Sequence, residues 1–157
     1  MRTAYKVLAW LIAAEVMVQA AAIVYAIAGL GIWIDQDGGV LDKATMESEG
    51  TPFPEIVGFM IHGLNGQMII PVLALILMIV SFFAKVPGGV KWAGFVLLAV
   101  VVQVLLGMFL HEVSALGMLH GINALILFGL AAMAGVRAHR FSKTERANAA
   151  STERELV

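Results

Sequence analysis

Long apolar runs alternate with short polar breaks along this chain. Four runs, at 5–33, 54–83, 90–110 and 114–136, are separated by a polar stretch at 34–53, a Lys85-Val-Pro-Gly-Gly turn and a His111-Glu112 pair. Each is long enough for a helix to cross a bilayer, which takes about 20 residues. No run alternates apolar and polar residues as a barrel strand would, and a helix satisfies its own backbone groups within lipid. The pattern therefore predicts an all-α fold, an integral membrane bundle of four helices. Its short connections make neighbouring helices antiparallel. Residues 1–138 form one four-helix domain, and 139–157 a polar tail that is either a loosely ordered helix extension or a disordered end.

Composition narrows the class. The chain is 61% hydrophobic and 13% charged, whereas soluble domains carry about 25% charged residues. A soluble domain and a disordered chain are both excluded. With no Cys, so are disulfides, thiolate metal sites, iron–sulfur clusters and Cys nucleophiles. The first run is too long for a signal peptide, and Glu15 and Gln19 interrupt it.

Charge placement gives orientation. Arg2, Lys6, Lys85, Lys91, Arg137, Arg140, Lys143, Arg146 and Arg154 flank one side of the four-span arrangement, and only Lys43 the other. The positive-inside rule then places both termini in the cytoplasm, in a multi-pass plasma-membrane topology. The 34–53 loop is external and acidic, with Asp35, Asp37, Asp42, Glu47 and Glu49. No basic patch suits nucleic acid.

The spans also repeat. The second carries Met60-Ile-His62-Gly63-Leu-Asn65-Gly66, and the fourth Met118-Leu-His120-Gly121-Ile-Asn123-Ala124. The first carries Val16-Met-Val-Gln19 and the third Val100-Val-Val-Gln103. Spans one and two thus resemble a copy of spans three and four, two parallel two-helix repeats about an axis along the membrane normal. That symmetry sets His62 opposite His120, each about 9–12 Å below the outer helix ends at 1.5 Å rise per residue.

Two imidazoles at one depth suit the axial ligation of a haem. Gly58, Gly66 and Gly121, with Gly117 and Ala124, would let a wide macrocycle approach the helix backbones. The same small residues also suit plain helix packing, which remains the alternative. Asn65, Asn123, Gln19 and Gln103 need partners inside an apolar bundle. They either bond one another between helices or line a haem edge or quinone site. His111, beside Glu112, could replace an axial ligand or bond a propionate. Alternatively, His62, His111 and His120 hold Cu or Zn with Glu112. Glu15, one turn from Gln19, either bonds a neighbouring helix or belongs to a proton path, a quinone pocket or a subunit contact.

From Arg2-Thr-Ala-Tyr-Lys through Gln19-Ala-Ala-Ala, His62-Gly-Leu-Asn-Gly and His120-Gly-Ile-Asn-Ala, the chain resembles a family of small actinobacterial four-helix integral membrane proteins. The resemblance covers about residues 2–138, the size of one small domain. It implies a fold but no activity. More loosely, the ligand layout is similar to one half of haem A synthase and to b-type cytochromes, which implies a His pair from an antiparallel bundle. The Arg that usually follows a haem A synthase ligand is Gly63 or Gly121 here, a departure from haem-modifying chemistry.

The expected function is electron transfer by one haem b per chain, held by His62 and His120. The partners are membrane lipid and either menaquinol or a larger respiratory complex. The alternatives are a non-redox accessory or assembly subunit, and a haem or metal carrier. No stand-alone catalytic residue emerges.

Overall fold

A computed structural model describes residues 1–47, 50–109 and 112–155. Its described residues form helices and no strands. Helix α1 runs Arg2–Asp37, and a short α2 (Lys43–Glu47) follows in the first connection. The second run comprises a 3₁₀ turn Pro54–Ile56, α3 (Val57–Leu64), a π-helical turn Asn65–Ile69 and α4 (Ile70–Ala84). Helices α5 (Gly89–Phe109) and α6 (Ser114–Glu155) complete the chain. Four of these segments are long and apolar enough to cross a membrane. They pack in a ring: α1 against α6 and against α3–α4, and α5 against α4 and α6.

Helix ends follow from local chemistry. Gly38 adopts φ 69° and stops α1, and its N–H bonds back to the Trp33 carbonyl. Asp42 precedes α2 and accepts the Thr45 N–H at 2.8 Å. Its carboxyl sits below the ordinary carboxylate range, chiefly because of that backbone bond. The α4–α5 turn needs two left-handed residues, Lys85 (φ 53°) and Gly88 (φ 70°). The Tyr5 hydroxyl pins it by donating to the Gly89 carbonyl at 2.9 Å.

The boundaries expected from sequence shift in three places. Helix α1 continues to Asp37, and α2 occupies part of the 34–53 loop. The 139–157 tail continues α6 as helix to Glu155. The second run is not one uniform helix, because Pro71 has no N–H for an α-type bond and its ring would crowd the preceding turn. The chain widens there, and the Ile70 N–H bonds to the Asn65 carbonyl. Pro71 then falls in the first turn of α4, where a missing N–H costs nothing.

Packing divides the bundle in two. One half is dense: Tyr5, Ala9, Ile12, Ala13 and Val16 form a stripe on α1. They meet Ala74 and Leu77 of α4, Ala93 and Val96 of α5, and Leu127, Ala131 and Ala134 of α6. The many alanines let the helix backbones approach closely. In the other half α5 buries nothing beyond Val100, and α6 nothing before Leu127, among the described residues. The outer surface along the helices is largely apolar, as at Leu125 (75% exposed) and Val24 (66%).

Candidate functional site

The looser half of the bundle contains both motif histidines. His62 stands on α3 just before the π turn, and His120 near the start of α6. Their ring centroids are 6.1 Å apart and their planes are inclined at 52°. His62 Nδ1 lies 3.1 Å from the Gln19 carbonyl oxygen on α1. His120 Nδ1 lies 3.2 Å from the Gln103 carbonyl oxygen on α5. A carbonyl oxygen can only accept, so Nδ1 carries a proton in both rings, and in the neutral imidazole that leaves the lone pair on Nε2.

The amides around the pair differ between the two motifs. Asn123 Nδ2 donates to Gln103 Oε1 at 2.7 Å and to the Ala99 carbonyl at 2.9 Å. Asn65 Nδ2 donates instead to Glu15 Oε2 at 2.9 Å, and Gln19 Nε2 donates to the His62 carbonyl at 3.0 Å. Glu15 occupies the position, one turn before the glutamine, that Ala99 occupies in the other motif. Asn65 opens the π turn and is buried, whereas Asn123 sits in a regular helix and is half-buried. The π turn and the Glu15/Ala99 difference thus distinguish the two motifs. Gln19 Oε1 and Asn65 Oδ1 are left buried without a partner; π turns of this kind recur at functional sites.

Two cavities adjoin the histidines. One, of about 460 Å³, lies on the α1–α6 side and touches both imidazoles. The other, of about 410 Å³, lies between α3 and α5 and touches His62. Their walls use equivalent positions of the two motifs. Ala20, Gly121, Ala124 and Leu125 line the first where Val104, Gly63, Gly66 and Gln67 line the second. Both cavities are mostly apolar, and Gln19 and Gln103 border the larger one.

The glycines named from sequence fall into different roles. Gly121 lines the larger cavity and Gly66 the smaller. A Cβ on Gly66 would also lie 2.8 Å from Gln19 Nε2. Gly58 lines neither cavity. It closes the α1–α3 contact, where a Cβ would meet the Ala22 carbonyl oxygen at 2.4 Å. Gly117 is exposed and faces open space. His111 lies outside the described residues, and Glu112 is exposed.

Sequence reasoning passed over Gly107. A Cβ there would lie 3.2 Å from His120 Cε1, so this glycine clears space for the imidazole. The available signal was its place one turn after Gln103 on the same helix. The backbone carbonyls of Gln19 and Gln103 were also passed over, because attention fell on their side chains.

No family model, curated protein or solved structure matches the chain.

Proposed function

We propose that this chain is an integral membrane b-type cytochrome that holds one haem b between His62 and His120. The observation that carries this reading is the ring spacing. Two imidazoles that approached one metal from opposite sides, through nitrogens at about 2 Å, would stand with their ring centres about 6 Å apart. The measured separation is 6.1 Å. Both Nδ1 atoms are engaged by backbone carbonyls, the outer-shell bond that fixes a metal-binding imidazole in one tautomer.

The residues present fit such a group. Cavities on the two sides of the pair, walled by Gly63, Gly66, Gly121 and Ala124, leave room for a flat macrocycle. When bound, haem would supply one-electron iron chemistry, and two imidazole ligands would favour electron transfer over oxygen chemistry. The chain's part is to hold both imidazoles at fixed spacing through Gln19 and Gln103, and to keep the Gly107 side clear of the His120 ring.

The apolar surface and four long apolar helices support insertion in a bilayer. The segregation of Lys and Arg supports cytoplasmic termini. The matched motifs and matched cavity walls support two parallel two-helix repeats in an antiparallel bundle. In this reading the haem sits nearer the external face and exchanges electrons with menaquinol or with neighbouring redox subunits of a respiratory complex.

The deciding experiment is a reduced-minus-oxidised absorption spectrum of the detergent-purified protein, with pyridine haemochrome quantitation. Sharp α and β bands at one haem b per chain are expected. A colourless protein, even after haem is supplied, overturns the reading.

A further inference from the structure

A second cavity system lies at the opposite, basic end of the bundle, apart from the histidine pair. A cavity of about 180 Å³ between the start of α1 and the far part of α6 is lined by Arg2, Thr3, Lys6, His139, Ser142 and Lys143. Among the described residues no carboxylate lines it. Among the described residues the one salt bridge is between Arg2 and Glu145. Arg2 also lies over the Phe141 ring, 5.2 Å from its centre, which holds its guanidinium at the rim. Lys6 and Lys143 approach the cavity from two different helices, and His139 stands one turn before Lys143. The two hydroxyls, Thr3 and Ser142, come from the same two helices. Ser142 Oγ donates to the Ala138 carbonyl at 3.0 Å, which commits its proton and leaves Thr3 as the hydroxyl donor of the cavity.

General cytoplasmic charge would scatter lysines around the rim, as Lys85 and Lys91 do on the α4–α5 side. Here cations from two helices converge on one concavity, with hydroxyls among them. That combination matches a phosphodiester, whose oxygens carry negative charge and accept hydrogen bonds from cationic and hydroxyl donors. A separate groove of about 300 Å³ at the same end of the bundle is lined by Val86, Pro87, Met133, Val136 and Phe141, with Arg137 and Arg140. A basic pocket at a bundle end is suited to an anionic headgroup.

We infer that the cavity between Arg2, Lys6, His139 and Lys143 is a binding site for a phosphate group, carried by an anionic phospholipid headgroup at the cytoplasmic end of the bundle. The site is independent of haem binding.

Native mass spectrometry of the full chain in detergent tests this, with phosphatidylglycerol, phosphatidylcholine and inorganic phosphate titrated separately. Phosphatidylglycerol is expected to be retained in preference to phosphatidylcholine. Lys6→Gln and Lys143→Gln should each weaken that retention about fivefold, the worth of one cation near an anionic surface. Lys85→Gln and Lys91→Gln keep the same overall charge change outside the cavity and should leave retention unchanged. Helical circular dichroism checks that each variant folds. Inorganic phosphate that competes at low concentration supports the phosphate site but transfers it from lipid to a free anion. Equal retention of the two lipids without phosphate binding overturns the proposal. So does an equal loss in the Lys85 and Lys91 variants, which would reduce the effect to general surface charge.

Discussion

The His62 and His120 rings face each other across the bundle at 6.1 Å, inclined by 52°, and each is tied through Nδ1 to a backbone carbonyl of the helix beside it. That arrangement makes the two rings equivalent in role although their surroundings differ. His62→Ala and His120→Ala are each expected to abolish a low-spin haem spectrum, and added imidazole should restore part of it. His139→Ala, far along α6, should leave the spectrum unchanged. Loss with His111→Ala but not with His120→Ala would reassign the axial pair.

Gly107 sets the clearance behind one of those rings. A Cβ at this position falls 3.2 Å from His120 Cε1 and 3.4 Å from Nδ1, tighter than ordinary contact but within what a small ring movement relieves. Gly107→Ala is therefore expected to weaken haem retention by about tenfold, the lower range for disturbing a ligand's outer shell. Gly107→Val should remove most of it. Gly94, on the same helix, faces open space, so Gly94→Ala serves as the control. Haem content per chain after detergent washing checks both.

Much of this molecule was legible before any coordinates. The four apolar runs marked the four long helices, because a helix crossing lipid needs an unbroken apolar length and little else. The duplicated His-Gly-x-Asn motif brought attention to His62 and His120, and the fold does bring those two rings together. The π turn was not legible. It depends on how Pro71 and the preceding backbone share hydrogen bonds, which a hydropathy pattern does not record. The roles of the glycines were only half legible. Gly58 and Gly107 look alike in sequence, yet one meets a neighbouring backbone and the other an imidazole. Asn65 and Asn123 stand at matching motif positions, yet one donates to Glu15, where the third span has Ala99, and the other to Gln103.

Gly58 carries a stability prediction distinct from the proposed haem site. A Cβ there would meet the Ala22 carbonyl oxygen at 2.4 Å and Ala26 Cβ at 2.9 Å. The first of these is backbone and cannot rotate away. Gly58→Ala should force α3 from α1 and cost about 1–3 kcal/mol, as overpacking does. Gly31→Ala, with nothing within 4 Å, should be neutral or gain up to about 1 kcal/mol from helix propensity. Reversible unfolding in mixed detergent micelles compares the two. Equal stability of both variants would show that the α1–α3 contact relaxes freely.

Glu15 and Asn65 offer the sharpest test of the asymmetric network. Asn65 Nδ2 donates to Glu15 Oε2 at 2.9 Å, and α1 offers that amide no backbone acceptor like the Ala99 carbonyl used by Asn123. Glu15→Gln keeps a carbonyl oxygen at the end of a side chain of the same length. Its stability should match or exceed that of the native chain. Glu15→Leu removes the acceptor and leaves the buried amide unsatisfied, at a cost of about 1 kcal/mol for an interhelical bond in a bilayer. Unfolding in mixed micelles separates the variants, with the haem spectrum recorded alongside. If Glu15→Gln were the more damaging of the two, the position would require a carboxyl group for something beyond holding Asn65, and its tie to the His62 motif would need a chemical rather than a structural account.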